Sequence, residues 1–177
     1  MNNQNYYPVP PNDMTKIAHQ VAAIINKDAS PAEISKALKR NEKQFTSYIV
    51  TVSQSFTSPS QQAVATQNID GSFGFICKQI TEQTIAAAQD TDRYLTSLQL
   101  SSQTSLVLGS LPLTILSRLT GVFQPFEMFW PPNSQINVGL QNGSTTATAT
   151  IKVIFVGFRV PIAFINEVLA AQGKSKI

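Results

Sequence analysis

On either side of Asn142-Gly143 apolar residues recur at every second position, Ile136, Val138 and Leu140, then Ala147, Ala149, Ile151, Val153 and Phe155, alternating as far as Thr150 with Gln, Asn, Gly and Thr. Successive side chains of a strand point to opposite faces, so this pattern demands extended structure with one buried face and excludes a helix. Asn142-Gly143 divides the run. Both residues tolerate the positive φ of a type I′ turn, which predicts a two-residue hairpin with Gln141 opposite Ser144. On that register the outer face joins Gln135, Asn137, Gly139 and Gln141 to Ser144, Thr146, Thr148 and Thr150, polar at nearly every position and never ionised. Solvated sheets ordinarily carry Lys and Glu, which oppose association. A row without them is expected to be a contact surface.

Residues beyond the hairpin sort into three parts. Residues 1–43 are an extended arm followed by short amphipathic helices; 44–160 are the β domain; 161–177 are a terminal helix and a basic tail. The first eleven residues hold Tyr6, Tyr7 and three prolines without periodicity, so they are expected to lie on a neighbour. Asp13 heads a helix with Ile17, Val21, Ile24 and Ile25 on one stripe. "SPAEISKALKR" starts a second, with Ser30 as N-cap, Pro31 in the first turn and Glu33 completing a capping box. Its stripe, Ile34 and Leu38, is narrow enough to need the first helix, the sheet or another subunit. From Gln44 the period becomes two, with Tyr48, Val50 and Val52 inward. "SFGFICKQITEQT" is the next strand after an Asp70-Gly71 turn, and "RYLTSLQL" a third. The apolar passage from Leu106 to Trp130 reads as short strands at Gly and Pro corners. The last strand, Ser144 to Phe158, outruns its hairpin partner, and Ile154, Val156 and Phe158 require another layer on its second face. Pro161 opens a helix with Ile162, Ile165 and Leu169 on its packing side. Short strands with helices at both ends make the chain mainly β, an antiparallel β-sandwich for which jelly-roll and immunoglobulin-like versions are both open; a jelly-roll-like sandwich is the expectation.

Only 13% of the residues are charged, about half the usual share. Between Gln44 and Thr150 the charged residues are Asp70, Lys78, Glu82, Asp90, Asp92, Arg93, Arg118 and Glu127. Weak self-repulsion favours permanent assembly. The net charge of +3 comes from the ends, where Lys36, Lys39, Arg40 and Lys43 read as a solvated helix face, so no nucleic-acid partner is required. A single cysteine, Cys77, excludes an internal disulfide and multi-cysteine zinc sites, and reads as a small buried hydrophobe. "MNNQNYYPVPPND" lacks the pattern of a secretory signal. "SLVLGSLPLTIL" is too short to span a bilayer, so no membrane insertion is expected.

Candidate chemistry is sparse. His19, the only histidine, reads as a helix-surface residue. Asp90 and Asp92 lack the loop and terminal Glu of a calcium hand and read as a polar turn. Glu127 amid aromatics has no second carboxylate to complete a glycosidase pair. The aromatics Phe123, Phe126, Phe129 and Trp130 invite a stacking role, but read as core or subunit-interface filling. No catalytic residue, metal ligand or cofactor is assigned. Oligomer-interface candidates are Gln135, Asn137, Gln141, Thr146, Thr148, Thr150, Phe126, Phe129 and Trp130, with Tyr6, Tyr7, Ile17 and Val21 in the N-terminal arm.

The β portion resembles small β-sandwich structural proteins of bacteriophage virions, of the capsid decoration or cement, vertex or collar type. The residues that carry the likeness are "SFGFICKQI", "DTDRYLTSLQL", "LPLTILSRLTGVFQPFEMFW" and the ending "PPNSQINVGLQNGS…IKVIFVGFRV". The resemblance implies a non-enzymatic homo-oligomer in the virion, assembled in the host cytoplasm, with itself and other virion proteins such as the major capsid protein as partners. The alternatives are a receptor- or glycan-binding fibre or spike module, which needs an exposed aromatic cluster around Trp130, and a small hydrolase.

Overall fold

A computed structural model describes residues 9–86, 93–100, 103–105, 110–113, 128–144 and 148–171. Among the described residues two α-helices, α1 (Pro11–Ile25) and α2 (Pro31–Asn41), precede nine strands. These are β1 (Thr46–Phe56), β2 (Gln62–Asn68), β3 (Phe73–Ala86), β4 (Arg93–Leu100), β5 (Gln103–Ser105), β6 (Leu111–Pro112), β7 (Met128–Trp130), β8 (Gln135–Asn142) and β9 (Ala149–Pro161). Helix α3 (Ile162–Ala170) follows directly. Sheet A has the order β1-β9-β3-β7. Sheet B has the order β2-β8-β4-β5, with β6 also on β4, and all the pairings are antiparallel.

The order follows from one long ribbon. Strand β1 pairs with β9, β2 with β8, β3 with β7, and β4 with β6 and β5, so the first half of the chain runs back along the second. Strands β1 to β4 and again β6 to β9 alternate between the sheets, and rolling the ribbon brings β3 onto the other edge of β9 and β4 onto the other edge of β8. This is a jelly roll, and it closes the inner faces into one core. Phe75, Trp130, Ile136, Val138, Leu140, Ile151, Val153 and Phe155 are all fully buried there. Trp130 stacks on Phe75 at 5.9 Å and meets the edge of Phe155 at 5.7 Å.

The expected β8–β9 hairpin is not formed. The alternation was sound, since Ile136, Val138, Leu140, Ile151, Val153 and Phe155 all face inward, but β8 lies in sheet B and β9 in sheet A. Asn142 and Ser144 hydrogen-bond instead to the β1–β2 connection. Asn142 N–H donates to the Gln61 carbonyl (2.9 Å), Asn142 Nδ2 to the Ser58 carbonyl (3.4 Å), and Ser60 N–H to the Ser144 carbonyl (2.9 Å). The Asn142 side chain also accepts from Ser144 N–H (3.2 Å), an Asx turn that leads the chain across. The last strand accordingly spans Ala149–Pro161 rather than Ser144 to Phe158. Strand β2 was missed because Ala63 and Ala65 give a faint inward stripe and Val64 points outward.

Two glycines permit close approaches between strands. A methyl on Gly157 would collide with the carbonyl of Ile76, beside the bulge between Cys77 and Gln79 that inserts Lys78. One on Gly139 would collide with the Ser97 hydroxyl at the β4 bulge between Leu95 and Ser97.

The helices form a third layer on sheet A. Ile17 and Val21, expected in an arm held by a neighbouring subunit, are fully buried against their own chain. With Phe45, Ile76, Phe129, Val160, Phe164 and Ile165 they make a second core. The Ser30–Glu33 capping box is present: Ser30 N–H donates to Glu33 Oε2 (2.8 Å) and Glu33 N–H to Ser30 Oγ (3.3 Å). Helix α3 holds both earlier helices. Asn26 Nδ2 donates to the Val168 carbonyl (3.0 Å), Asn41 Nδ2 to Glu167 Oε1 (3.2 Å), and Arg40 pairs with Glu167 at 3.3 Å. Phe45 meets the edge of Phe164 at 5.3 Å. The layer demanded by the apolar second face of β9 covers its Phe158 end, while Ile154 and Val156 stay half-buried.

Two substitutions test this account by chemical denaturation. Ile17→Ala is expected to cost about 2–5 kcal/mol, as for any fully buried large aliphatic residue; a cost near zero would return α1 to the status of an arm. Gly157→Ala should cost about 3 kcal/mol, the upper range for overpacking, because its neighbour is backbone.

Candidate assembly surface

The outer face of sheet B is built by three adjacent strands. Antiparallel register sets Gln62 beside Gln141 and Tyr94, Val64 beside Gly139 and Ser97, Thr66 beside Asn137, and Asn68 beside Gln135. Cross-strand hydrogen bonds order the row: Gln62 Nε2 donates to Gln141 Oε1 (3.1 Å) and Thr66 Oγ1 to Asn137 Oδ1 (2.8 Å). At its centre the β4 bulge brings the hydroxyls of Thr96 and Ser97 over Gly139, where no side chain competes for the space. Among the described residues this face carries no Asp, Glu, Lys, Arg or His. Val64 stands out of it at 64% exposure.

The expected single row is therefore divided. Gln135, Asn137 and Gln141 share the face of sheet B, whereas Thr148 precedes β9 and Thr150 lies on sheet A, where its hydroxyl is 3.0 Å from that of Ser55. Thr146, Phe126, Tyr6 and Tyr7 lie outside the described residues. Beyond the helices, the outer face of sheet A presents Ile49, 55% exposed, beside half-buried Val156 and Ile154, with Lys152 further along β9. Sequence reasoning missed Val64 and Ile49. Their signal was a lone aliphatic residue on the polar phase of each strand.

Two interface candidates are withdrawn. Trp130 is fully buried in the sandwich core, and Phe129 is buried between sheet A and the helices, so neither reaches a partner or a ligand. The aromatic cluster divides because adjacent strand residues face opposite ways. Phe123, Asp90, Asp92 and Glu127 lie outside the described residues. His19 is half-buried in α1. Among the described residues no group of three or more His, Cys, Asp or Glu stands close enough to hold a metal, and no helix is long and apolar enough to cross a membrane.

Ionisable groups near the sheets do structural work. The Asp70 carboxylate is held below the usual carboxylate range by a hydrogen bond from the Ser72 side chain and by one from Ser72 N–H at 2.7 Å, and Arg159 lowers it slightly further. The Arg159 guanidinium lies between Tyr48 and Phe73, 4.0 and 4.1 Å from the ring centres, and so ties β1, β9 and β3 together. Cys77 is buried as expected, and burial pushes its thiol from 9.0 up to about 12.

A folded-state pKa raised above the unfolded value gives stability that is complete below the unfolded pKa and lost as pH rises through the folded one. Native protein should therefore leave Cys77 unmodified by a thiol reagent at neutral pH. Its melting temperature should fall between pH 9 and about pH 12 more steeply than that of Cys77→Ala. Equal slopes would show that the thiol ionises as easily folded as unfolded. No known protein family, no curated protein and no solved structure matches the chain.

Proposed function

We propose that the chain is a non-enzymatic structural protein that works as a homo-oligomer in a permanent assembly. Following the resemblance of its β portion, that assembly is a bacteriophage virion, with the chain in a decoration or cement, vertex or collar position. The observation that carries this reading is the uncharged outer face of sheet B, ordered by side-chain hydrogen bonds and centred on an exposed valine. Long charged side chains keep a free protein from sticking. A face built from amides and hydroxyls, already held in fixed rotamers, loses little entropy when another surface covers it.

The jelly roll itself is a scaffold shared by proteins of many functions, so it supports the reading only by supplying flat, rigid faces. The charge distribution adds to it. Most described charged residues lie in the helical layer, leaving the outer face of sheet B neutral for neighbours.

Mass spectrometry of purified virions is expected to recover the chain at a fixed copy number. Thr66→Lys with Val64→Lys, both at exposed positions, should reduce that number while circular dichroism stays unchanged. Absence of the chain from complete particles would overturn the virion assignment. Full incorporation of the double variant would remove this face from the contact.

A further inference from the structure

The helices cover sheet A, so their outward side and the uncharged outer face of sheet B lie on opposite surfaces of the molecule. On α2, Lys36, Lys39 and Arg40 stand at i, i+3 and i+4, the spacing of one helix face, and Lys43 follows a turn later in the 3₁₀ turn Glu42–Gln44. All four are exposed, while Ile34, Ala37 and Asn41 on the other side of the helix are buried. In the sequence this row reads as a solvated helix face. The fold adds its place opposite the neutral surface and its lack of counter-charges.

Helix stability explains only part of the row. Basic residues in a last turn steady the helix dipole, which accounts for Lys39 and Arg40 but not for Lys36, placed a turn earlier. The nearby carboxylates are mostly occupied: Glu33 by the Ser30 capping box, and Glu167 by Arg40 and Asn41. Exposed Glu42 pairs with none of the lysines. Among the described residues Lys36, Lys39 and Lys43 have no ion pair, and the Arg40 side chain stays 60% exposed beside Glu167. On α1 and the turn after it, Lys16 and Lys27 are matched in number by Asp13 and Asp28, so the positive excess of the helical layer belongs to α2 and its 3₁₀ turn.

We propose that this row binds the phosphate backbone of double-stranded nucleic acid without sequence preference. From Lys36 to Lys43 it runs for about 10 Å, and a duplex presents about six phosphates over that distance. A polyanion of that density engages several lysines at once in any register. The type of cation fits as well, since an ammonium meets phosphate as a point charge and reads no base edge. "PAEISKALKRN" and "EKQ" contain no aromatic residue on which an unstacked base could lie, which disfavours single strands. A helix that binds a lipid surface sinks its apolar side into the acyl boundary, and that side of α2 is already buried in the second core. The contact uses other residues than the assembly face, on the opposite surface, so the two proposals stand or fall separately.

Fluorescence anisotropy of a short labelled DNA duplex, titrated with the full chain, tests the proposal. Contacts from Lys36, Lys39 and Lys43 predict a slope of log K against log salt of about −2.7, so affinity should fall about 40-fold between about 50 and about 200 mM salt. Two duplexes of unrelated sequence should bind alike. Lys36→Gln with Lys39→Gln should reduce the steepness of the slope by about 1.8, with circular dichroism unchanged. Lys78→Gln with Lys152→Gln, an equal loss of charge on strands of sheet A, should leave the slope as it was. Equal effects of the two double variants would show that net charge alone attracts DNA, and would overturn the assignment to α2. So would absence of binding at about 50 mM salt, or tighter binding to polyglutamate or to phosphatidylserine vesicles than to the duplex. The wild-type slope and these comparisons decide the class of partner even if a variant fails to fold.

Discussion

Pairing β9 on both edges, with β1 on one side and β3 on the other, commits the rest of the chain to its place. Thirteen residues of β9 hold eleven of β1 and thirteen of β3 in register, so the first, third and last strands become one sheet. Strand β2 then crosses to the second layer, β8 pairs with it, and β4 closes on the other edge of β8. The inner side of β9, with Ile151, Val153 and Phe155, needs a facing layer, and Ile136, Val138 and Leu140 of β8 help to provide it. These contacts are far apart in sequence. Loop-closure entropy must be met before any of them forms, so the roll is expected to fold cooperatively and slowly.

The helical layer solves a problem that this central strand creates. Towards its end β9 is apolar on its outer side: Phe158 and Val160 join a second core with Ile76 and Phe129. A bare sheet would expose these residues to water. Helix α3 continues β9 without a loop, and α1 and α2 are fastened to it through Asn26, Asn41 and the Arg40–Glu167 pair. The ion pair is exposed and contributes little by itself. Burial of Ile17, Val21, Phe164 and Ile165 supplies most of the attachment, each large side chain contributing about 1.5–3 kcal/mol. Helices and sheet thereby form one unit, and most of the described charged residues lie in its helical part.

Local signals were legible wherever one strand or one helix end decided them. The capping box at Ser30, the Asp70-Gly71 turn, the strand over Arg93–Leu100 and the inward phase of Tyr48, Val50 and Val52 all depend on residues within a few positions of each other. Half of the candidate surface was legible too, because Gln135, Asn137 and Gln141 must lie opposite Ile136, Val138 and Leu140 on any strand. The rest required knowing which strands are neighbours. Thr148 and Thr150 were joined to that row by a turn that does not exist, and Phe129 and Trp130 by adjacency in the sequence. Val64 and Ile49 became visible only once β2 and β1 were edges.

By itself the sequence determined that this chain is mainly β, which faces of its strands are apolar, where its second and last helices start and how little charge its middle carries. Tertiary structure alone decided that β8 and β9 face each other across the core instead of pairing. Alternation every second residue specifies a face and leaves the partner open: two strands with inward apolar sides satisfy it equally well as neighbours in one sheet or as opposite layers. The choice is made by the long-range pairing of β9 with β1 and β3, and by the backbone groups of Asn142 and Ser144 finding their partners in the β1–β2 connection.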